Sequence, residues 1–431
     1  MNHTYEQALA WIHGRLPLGI KPGLKRMEWL MEKMNHPERR LRAVHIGGTN
    51  GKGSTVAYMR SMLREAGYET GTFTSPYIEQ FNERISVNGE PISNEAMIEL
   101  VEIIRPLAEE LEKTELGGPS EFEIITAMAM YYFAYIHPVD VVLFEVGLGG
   151  RFDSTNVIHP LLSIITTIGM DHMQFLGDTI EDIAFEKAGI IKNGVPVITG
   201  VKQKAARKVI TERTREVRSS VYQLGKQFTA DWQESLPQGE DFHFQSVFAD
   251  MKDLHTGLNG LHQTENAAIA VMALLYLRAF YAFQIDEEQI RSGLQTANWP
   301  GRMERVSEQP VVLLDGAHNP EGMKALVASL SERFPGKEIT ALFAGMKDKQ
   351  LDGMVVMLEE AAERIVFTSF DFPRAAGKEE FEPFLKTHQW QEDWKGWIEE
   401  FRSSAKEDEV LVVTGSLYFI SEVRNLFDSR S

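Results

Sequence analysis

The sequence predicts an α/β protein, a doubly wound N-terminal domain followed by a smaller α/β domain. Three observations carry that prediction. Short, nearly all-apolar runs such as "VDVVLFEVG" (139–147), "LLSIITTIG" (161–169) and "VPVITGV" (195–201) read as strands of a parallel sheet covered on both faces. Segments of helical length and periodicity separate such runs, the alternation that builds doubly wound sheets. The strand–helix series then restarts after the Trp-Pro-Gly break at 299–301.

In chain order, "RAVHI" (42–46) is a strand, "GGTNGKGS" a glycine-rich loop and "TVAYMRSMLREAG" a helix. "YETGTFTSP" (68–76) is a short strand, and the polar stretch "YIEQFNERISVNGE" (77–90) reads as a loop ending near a turn. "EFEIITAMAMYYFAYI" (121–136) has the length and apolar density of a buried helix, and "TIEDIAFEKAGIIK" (179–192) is helical. Between 221 and 256 the pattern changes to short alternating segments such as "DFHFQSVFADM", expected to be antiparallel. Helices over "TENAAIAVMALLYL" (264–277) and "DEEQIRSGLQTA" (286–297) follow. The second series is "PVVLLDGAHNPEGMKALVASL", "EITALFAGM", "RIVFTSF" and "EVLVVTGSLYFISEV". A chain of 431 residues exceeds one comfortable core, and the predicted domains are 1–297 and 298–431.

Composition narrows the class. Hydrophobic residues at 43% and charged ones at 25% describe an ordinary globular protein. The net charge of -18 argues against a nucleic-acid surface, which would draw its affinity from Lys and Arg on phosphates. With no cysteine, disulfides and thiolate metal sites are excluded, in keeping with a reducing cytoplasm. The opening "MNHTYEQALAWIHGRL" lacks the apolar core of a signal peptide, and "AAIAVMALLYL" falls short of a membrane span of roughly 20 residues. The expectation is a cytoplasmic protein with neither membrane nor nucleic-acid partners.

"HIGGTNGKGST" (45–55) departs from the phosphate-loop pattern G-x-x-x-x-G-K-[ST]: Ile46 replaces the first glycine, and Gly53 separates Lys52 from Ser54. The requirement for anion binding is nevertheless met. Glycines 47, 48, 51 and 53, after a strand and before a helix, let backbone N–H groups converge at a helix N-terminus. Lys52 can reach terminal phosphates, and Ser54 or Thr55 can offer a hydroxyl. The alternative, a mobile turn with a solvated lysine, leaves the strand–loop–helix setting unexplained. Glu145 ends an apolar strand, where α/β sheets place functional groups, with Asp153 close behind; Asp171 and His172 follow the next strand. These are candidate metal ligands, although a solvated glutamate and a structural histidine are the bland alternatives. Lys187 sits between apolar neighbours, and from the residues alone it is as well read as half of an ion pair.

Together "HIGGTNGKGS", "TSPYIEQFNERISVNG", "FEVGLGGRFDSTN", "GMDHMQFLGDTIEDIAFEKAGIIK", "GLHQTENAAIA", "WPGRME" and "LDGAHNP" resemble the folylpolyglutamate synthase/dihydrofolate synthase enzymes of the Mur ligase superfamily. The glycine between lysine and serine is that family's own form of the loop. The resemblance implies a Mur ligase-like central, ATP-binding domain and a Rossmann-like C-terminal α/β domain. It implies that Thr49, Asn50, Gly51, Lys52, Gly53 and Ser54 hold ATP phosphates, with Asn266, Arg302, Asp315 and His318 as further nucleotide contacts. Ser75, Glu145, His172 and Lys187 match metal positions for two Mg²⁺ ions, Lys187 being the lysine the family carbamylates; Lys52, Lys187 and His172 are the residues placed in catalysis. Ser120, Glu121, Phe122 and Glu123, with Phe152, Asp153 and Ser154, match pterin-substrate positions, as does "KPGLK" at Lys25, and Phe81 and Arg84 lie on a loop that in the family is close to the folate and ATP sites. Ser416 is a candidate for holding glutamate.

The implied reaction joins L-glutamate to tetrahydrofolate, and to dihydropteroate, through an acyl phosphate made from ATP. A K⁺ requirement and the choice between one substrate and both stay open, and a monomer is expected. Two rivals remain. Another Mur-type ligase would need an N-terminal nucleotide-sugar domain, for which the 44 residues before His45 are too few. A phosphate-loop switch without ligase activity would leave the Arg302 and Asp315 segments without a purpose.

Overall fold

The computed structural model describes residues 4–19 and 21–428. Its contacts divide the chain into two compact units, Met1–Ala230 with Phe244–Lys252 and Glu265–Thr296, and Asp231–His243 with Asp253–Thr264 and Ala297–Ser431. Among the described residues no helix is long and apolar enough to cross a membrane.

The first unit is built on eight strands: β1 (Ala43–Gly47), β2 (Thr70–Phe73), β3 (Ile85–Val87), β4 (Glu90–Pro91), β5 (Val141–Glu145), β6 (Leu162–Ile165), β7 (Val197–Thr199) and β8 (Val221–Gln223). They form one sheet of order β4-β3-β2-β5-β1-β6-β7-β8. The six strands from β2 to β8 in that order are mutually parallel, and β3 and β4 add an antiparallel edge. β1 is central, and Ile46 pairs with both Glu145 and Ile164, so three strands end together along one edge of the sheet. Loops leaving those carboxyl ends are where an open α/β sheet receives ligands.

Strand alternation covers both faces. On one face Phe144 joins an apolar cluster with helices Tyr5–His13, Lys25–Lys33, Asn94–Glu112 and Glu121–Tyr131, and Val146 joins a second with helices Ile180–Ala188 and Lys204–Glu216; on the other face Val44, Ile46, Leu143 and Ile164 are fully buried. The apolar helix predicted over 264–277 runs from His262 to Tyr281, with residues 267–275 buried without a polar break.

Two differences from the sequence reading have physical causes. The stretch 77–90 contains a short helical turn, Phe81–Arg84, and the edge strands β3 and β4, which are too short to show a period. Helix Asn94–Glu112 escapes a reading that stresses apolar runs because it is amphipathic and carries Pro106 inside; Ser93 caps it by accepting from the Ala96 N–H at 3.1 Å.

A three-stranded sheet of β9 (Phe228–Ser235), β10 (Glu240–Ser246) and β11 (Asp250–His255) has residues in both units. The second unit carries β12 (Glu304–Glu308), β13 (Val311–Leu314), β14 (Glu338–Phe343), β15 (Arg364–Phe367), β16 (Gln389–Trp390) and β17 (Glu409–Thr414), in the order β12-β13-β17-β14-β15-β16. All its pairs are parallel except β12 with β13. Leu313, Val410 and Val412 enter one core and Val312, Leu314, Leu411 and Val413 the other, the period-2 signature of a sheet covered twice.

Candidate active site

The loop between β1 and helix Lys52–Glu65 is held open by its neighbours. Gly48 has φ +146°, and a Cβ there would lie 1.9 Å from Thr166 Oγ1. Gly51 has φ +85°, and its Cβ would lie 2.3 Å from Asn266 Oδ1. Only glycine satisfies both constraints at either position. The segment after β6 grips the loop. Thr49 N donates to Thr167 O at 2.8 Å, Asn50 N to Thr167 Oγ1 at 2.9 Å, and Thr166 Oγ1 donates to Asn50 O at 2.6 Å. Gly51 caps the helix with no side chain to accept from its first N–H groups. Those donors and the helix dipole therefore face whatever occupies the loop.

Lys52 folds over its own loop, donating to Gly48 O at 3.2 Å and Thr49 O at 3.1 Å, with Glu145 Oε1 4.0 Å away. The Thr55 hydroxyl donates to Gly51 O at 2.8 Å, so of the two hydroxyls the sequence offers, Ser54 is the one not engaged by the helix backbone. Buried Glu145 also accepts from Ser75 N at 3.3 Å, which brings two expected metal positions together. Lys187 is buried and donates to Gly48 O at 3.0 Å, so two lysines converge on one carbonyl. Burial first, and then the Lys52 charge, pull the Lys187 ammonium down to about 7, against the opposing pull of Asp171 and Asp153. His172 is half-exposed with φ +52°, and its Nε2 lies 3.9 Å from Asp171 Oδ2. Among the described residues no group of three or more His, Asp or Glu side chains is assembled to hold a metal by itself.

The acceptor candidates separate into two kinds. Ser120 and Glu123 form a capping box at the start of helix Glu121–Tyr131, with Glu123 paired to Arg26 at 2.9 Å. The "SEFE" pattern carries that capping signal in the sequence, but Arg26 was legible only as the neighbour of Lys25, which is exposed at a helix start. Glu121 instead meets Arg84 at 3.6 Å and His13 at 3.2 Å, and Arg84 stands over the rings of Phe81 and Tyr77. Phe122 lies so close to Gly147 that a Cβ there would be 2.4 Å from its ring. Phe152 is exposed beside Arg151, which is paired to Glu186 at 2.6 Å. Asp153 is buried, which raises its pKa, and accepts from Leu148 N at 2.8 Å and Thr155 N at 3.0 Å; Ser154 opens the short turn that it caps.

In the second unit, Asp315 directly follows β13 and accepts from Met303 N and Ala317 N, both at 2.9 Å. Burial raises its pKa while Arg302 opposes that shift. A Cβ on Gly316 would lie 2.5 Å from Arg302 Nη1. His318 donates from Nδ1 to Gly316 O at 2.7 Å. Ser416 is buried at the start of the final helix.

An open glycine loop on a parallel sheet, with a lysine roof and a glutamate at the next strand end, defines a Mur-type ligase. The Mur ligase middle domain matches residues 46–274, and the Mur ligase, glutamate ligase domain matches residues 301–417. The chain is 50% identical over 423 residues to a dihydrofolate synthase/folylpolyglutamate synthase of Bacillus subtilis, covering 98% of each. It superposes on Mycobacterium tuberculosis folylpolyglutamate synthase complexed with ADP with TM-score 0.90 at 30% identity, covering 98% of both chains. An FPGS–AMPPCP–folate complex gives TM-score 0.85 at 31% identity, covering 98% of this chain and 99% of that one. The chain belongs to the folylpolyglutamate synthase/dihydrofolate synthase family and is an ATP-dependent ligase.

Proposed function

We propose that this chain joins the amino group of L-glutamate to the carboxyl group of tetrahydrofolate, and of dihydropteroate, converting ATP to ADP and phosphate. The observation that carries this reading is the uncapped helix start at Gly51, roofed by Lys52 and flanked by Glu145, in a chain of this family.

A folate carboxylate oxygen attacks the γ-phosphorus, ADP leaves, and an acyl phosphate results. The glutamate amine then attacks the acyl carbonyl, loses a proton, and phosphate departs carrying the former carboxylate oxygen. The residues from Thr49 to Ser54 cradle the phosphates, Lys52 exchanging its bonds to Gly48 O and Thr49 O for phosphate oxygens. Asn266, Arg302, Asp315 and His318 complete the nucleotide contacts in this reading, which takes 1–297 as the ATP-binding domain and 298–431 as the C-terminal domain.

Mg²⁺ is commonly held by one or two carboxylates together with substrate phosphates, a demand that the pairing of Glu145 with Ser75 suits. Ser75, Glu145, His172 and a carbamylated Lys187 are the groups that would hold two Mg²⁺ ions, which when bound offset charge on the transferring phosphoryl group. Carbamylation adds the Lys187 amine to CO₂ and releases one proton, turning a cation into a carboxylate. It requires a neutral amine, and an ammonium pulled down to about 7 supplies one near neutral pH. Glu121, Phe122, Phe81, Arg84, Lys25 and the Phe152–Ser154 segment receive the pterin-bearing acid, with Ser120 and Glu123 shaping that wall. Ser416 holds glutamate. The working state is a cytoplasmic monomer, and replacing K⁺ by Na⁺ in the assay tests for a K⁺ requirement.

Phosphate release measured with tetrahydrofolate or dihydropteroate, each with and without glutamate, tests the reading. Release that requires glutamate with both acids is expected. Release with one acid only reduces the activity to a single function. Release that ignores both acids contradicts the assignment and favours a nucleotide switch.

A further inference from the structure

His45 is the one polar side chain of β1, fully buried two residues before the phosphate loop begins. Its Nε2 lies 2.8 Å from Thr155 Oγ1, and the Thr155 hydroxyl in turn donates to Asp153 Oδ1. Thr155 is also fully buried. A hydroxyl has one proton to give. Asp153 accepts from Leu148 N at one carboxyl oxygen and from Thr155 N and the Thr155 hydroxyl at the other, so the Thr155 proton points to Asp153. His45 Nε2 must then carry a proton and donate, which leaves Nδ1 as a bare lone pair. Nδ1 is buried and without a partner, the arrangement expected for an acceptor rather than an orphaned N–H. Burial, reinforced by Lys192, holds the His45 pKa down to about 3, so the ring is neutral at working pH.

Asp153 gathers both ends of one segment, because Leu148 N and Thr155 N reach the same carboxylate. Between them lie Phe152, Asp153 and Ser154. We propose that His45 is a positioning residue for the acceptor substrate: its Nε2–H, acting through Thr155, fixes Asp153 and with it the 148–155 segment that receives the pterin-bearing acid. This rests on the reading of Phe152–Ser154 given above. One strand then sets both loops, with His45 fixing the acceptor loop and Gly47 starting the nucleotide loop.

The test compares His45→Leu, which removes the donor, with His45→Gln, whose amide N–H replaces it. His45→Leu is expected to raise KM for tetrahydrofolate about tenfold, the loss of one buried hydrogen bond, with KM for ATP within about twofold of wild type. His45→Gln is expected to recover most of that loss, and Thr155→Val to add little to His45→Leu because both cut one chain. Equal rises in both KM values, or a glutamine variant no better than leucine, would overturn the proposal. ¹⁵N NMR of the wild-type imidazole decides the tautomer without any variant: Nε2–H is expected, and Nδ1–H overturns the relay even if His45→Leu fails to fold. Phe152→Ala and Asp153→Asn separate the two claims. If neither raises the tetrahydrofolate KM, the acceptor reading of the segment fails; if both raise it and a folded His45→Leu does not, the relay alone fails.

Discussion

Two turns in this molecule share a plan and differ in what they leave exposed. After β1, Gly47 leads through Gly48 and Gly51 into helix Lys52–Glu65; after β13, Asp315 leads through Asn319 into helix Pro320–Arg333. Both are strand–loop–helix connections at the end of a buried parallel strand. In the second, Asn319 Oδ1 accepts from Gly322 N at 2.8 Å, Pro320 removes another N–H, and Asp315 is engaged by two backbone donors. That helix start is closed by its own side chains. In the first, a left-handed glycine stands where a capping side chain would be, and the donors stay available. Topology alone therefore does not make an anion site. The missing cap and the two positive φ angles do.

The comparison breaks most readily at Lys52. Lys52→Ala should lower kcat/KM by about 10²–10³-fold with an unchanged circular-dichroism spectrum, as expected when a phosphate-stabilising charge is removed. Near-normal turnover would return the loop to a structural role. Lys187→Ala should cost on the order of 10²-fold and be restored in part by small carboxylates such as acetate. Unchanged activity would return Lys187 to an ordinary buried amine. Gly51→Ala sharpens the glycine argument, because φ +85° and the overlap with Asn266 act together; an increase in ATP KM of about tenfold is expected. Parity with wild type would show that the loop tolerates a Cβ.

Lys187 also leaves a mark on stability. In CO₂-free buffer its folded pKa is about 7 against an ordinary 10.5, so between those values the unfolded chain holds a proton that the folded chain lacks. Stability should therefore rise with pH across that window, and Lys187→Met should flatten the rise. A slope that survives the substitution assigns it to another group. The smallest effect belongs to the closed turn. Asn319→Ala should destabilise the protein by about 1 kcal/mol in urea unfolding while changing the ATP KM by less than about twofold. A large nucleotide effect there would mean that Asn319 acts on the nucleotide itself and not only as a helix cap beside Asp315 and His318.

Much of the site was legible because its chemistry sits at consecutive strand ends. Lys52 and Glu145 stand at or just past runs whose apolar character marks the parallel sheet, and the glycine spacing announced the open helix start, whereas Lys187 lies in helix Ile180–Ala188. What escaped was of another kind. The Thr166–Thr167 grip is a contact across 116 positions, invisible to local pattern, and the Arg26–Glu123 pair spans 97. Helix Asn94–Glu112 has the amphipathic period but no motif to draw attention to it, and β3 and β4 are too short for a period to form. His45 did carry a signal, a lone polar residue in an apolar strand, but its partner could be named only once the chain had folded.

The central claim is that the loop delivers the outermost phosphoryl group of ATP to a carboxylate, and isotope transfer tests it most directly. Tetrahydrofolate labelled with ¹⁸O in its reacting carboxyl group would be turned over with ATP and glutamate, and the released phosphate analysed by mass spectrometry. The account predicts one ¹⁸O atom in each phosphate derived from a labelled oxygen. Unlabelled phosphate released alongside the glutamylated product would contradict it.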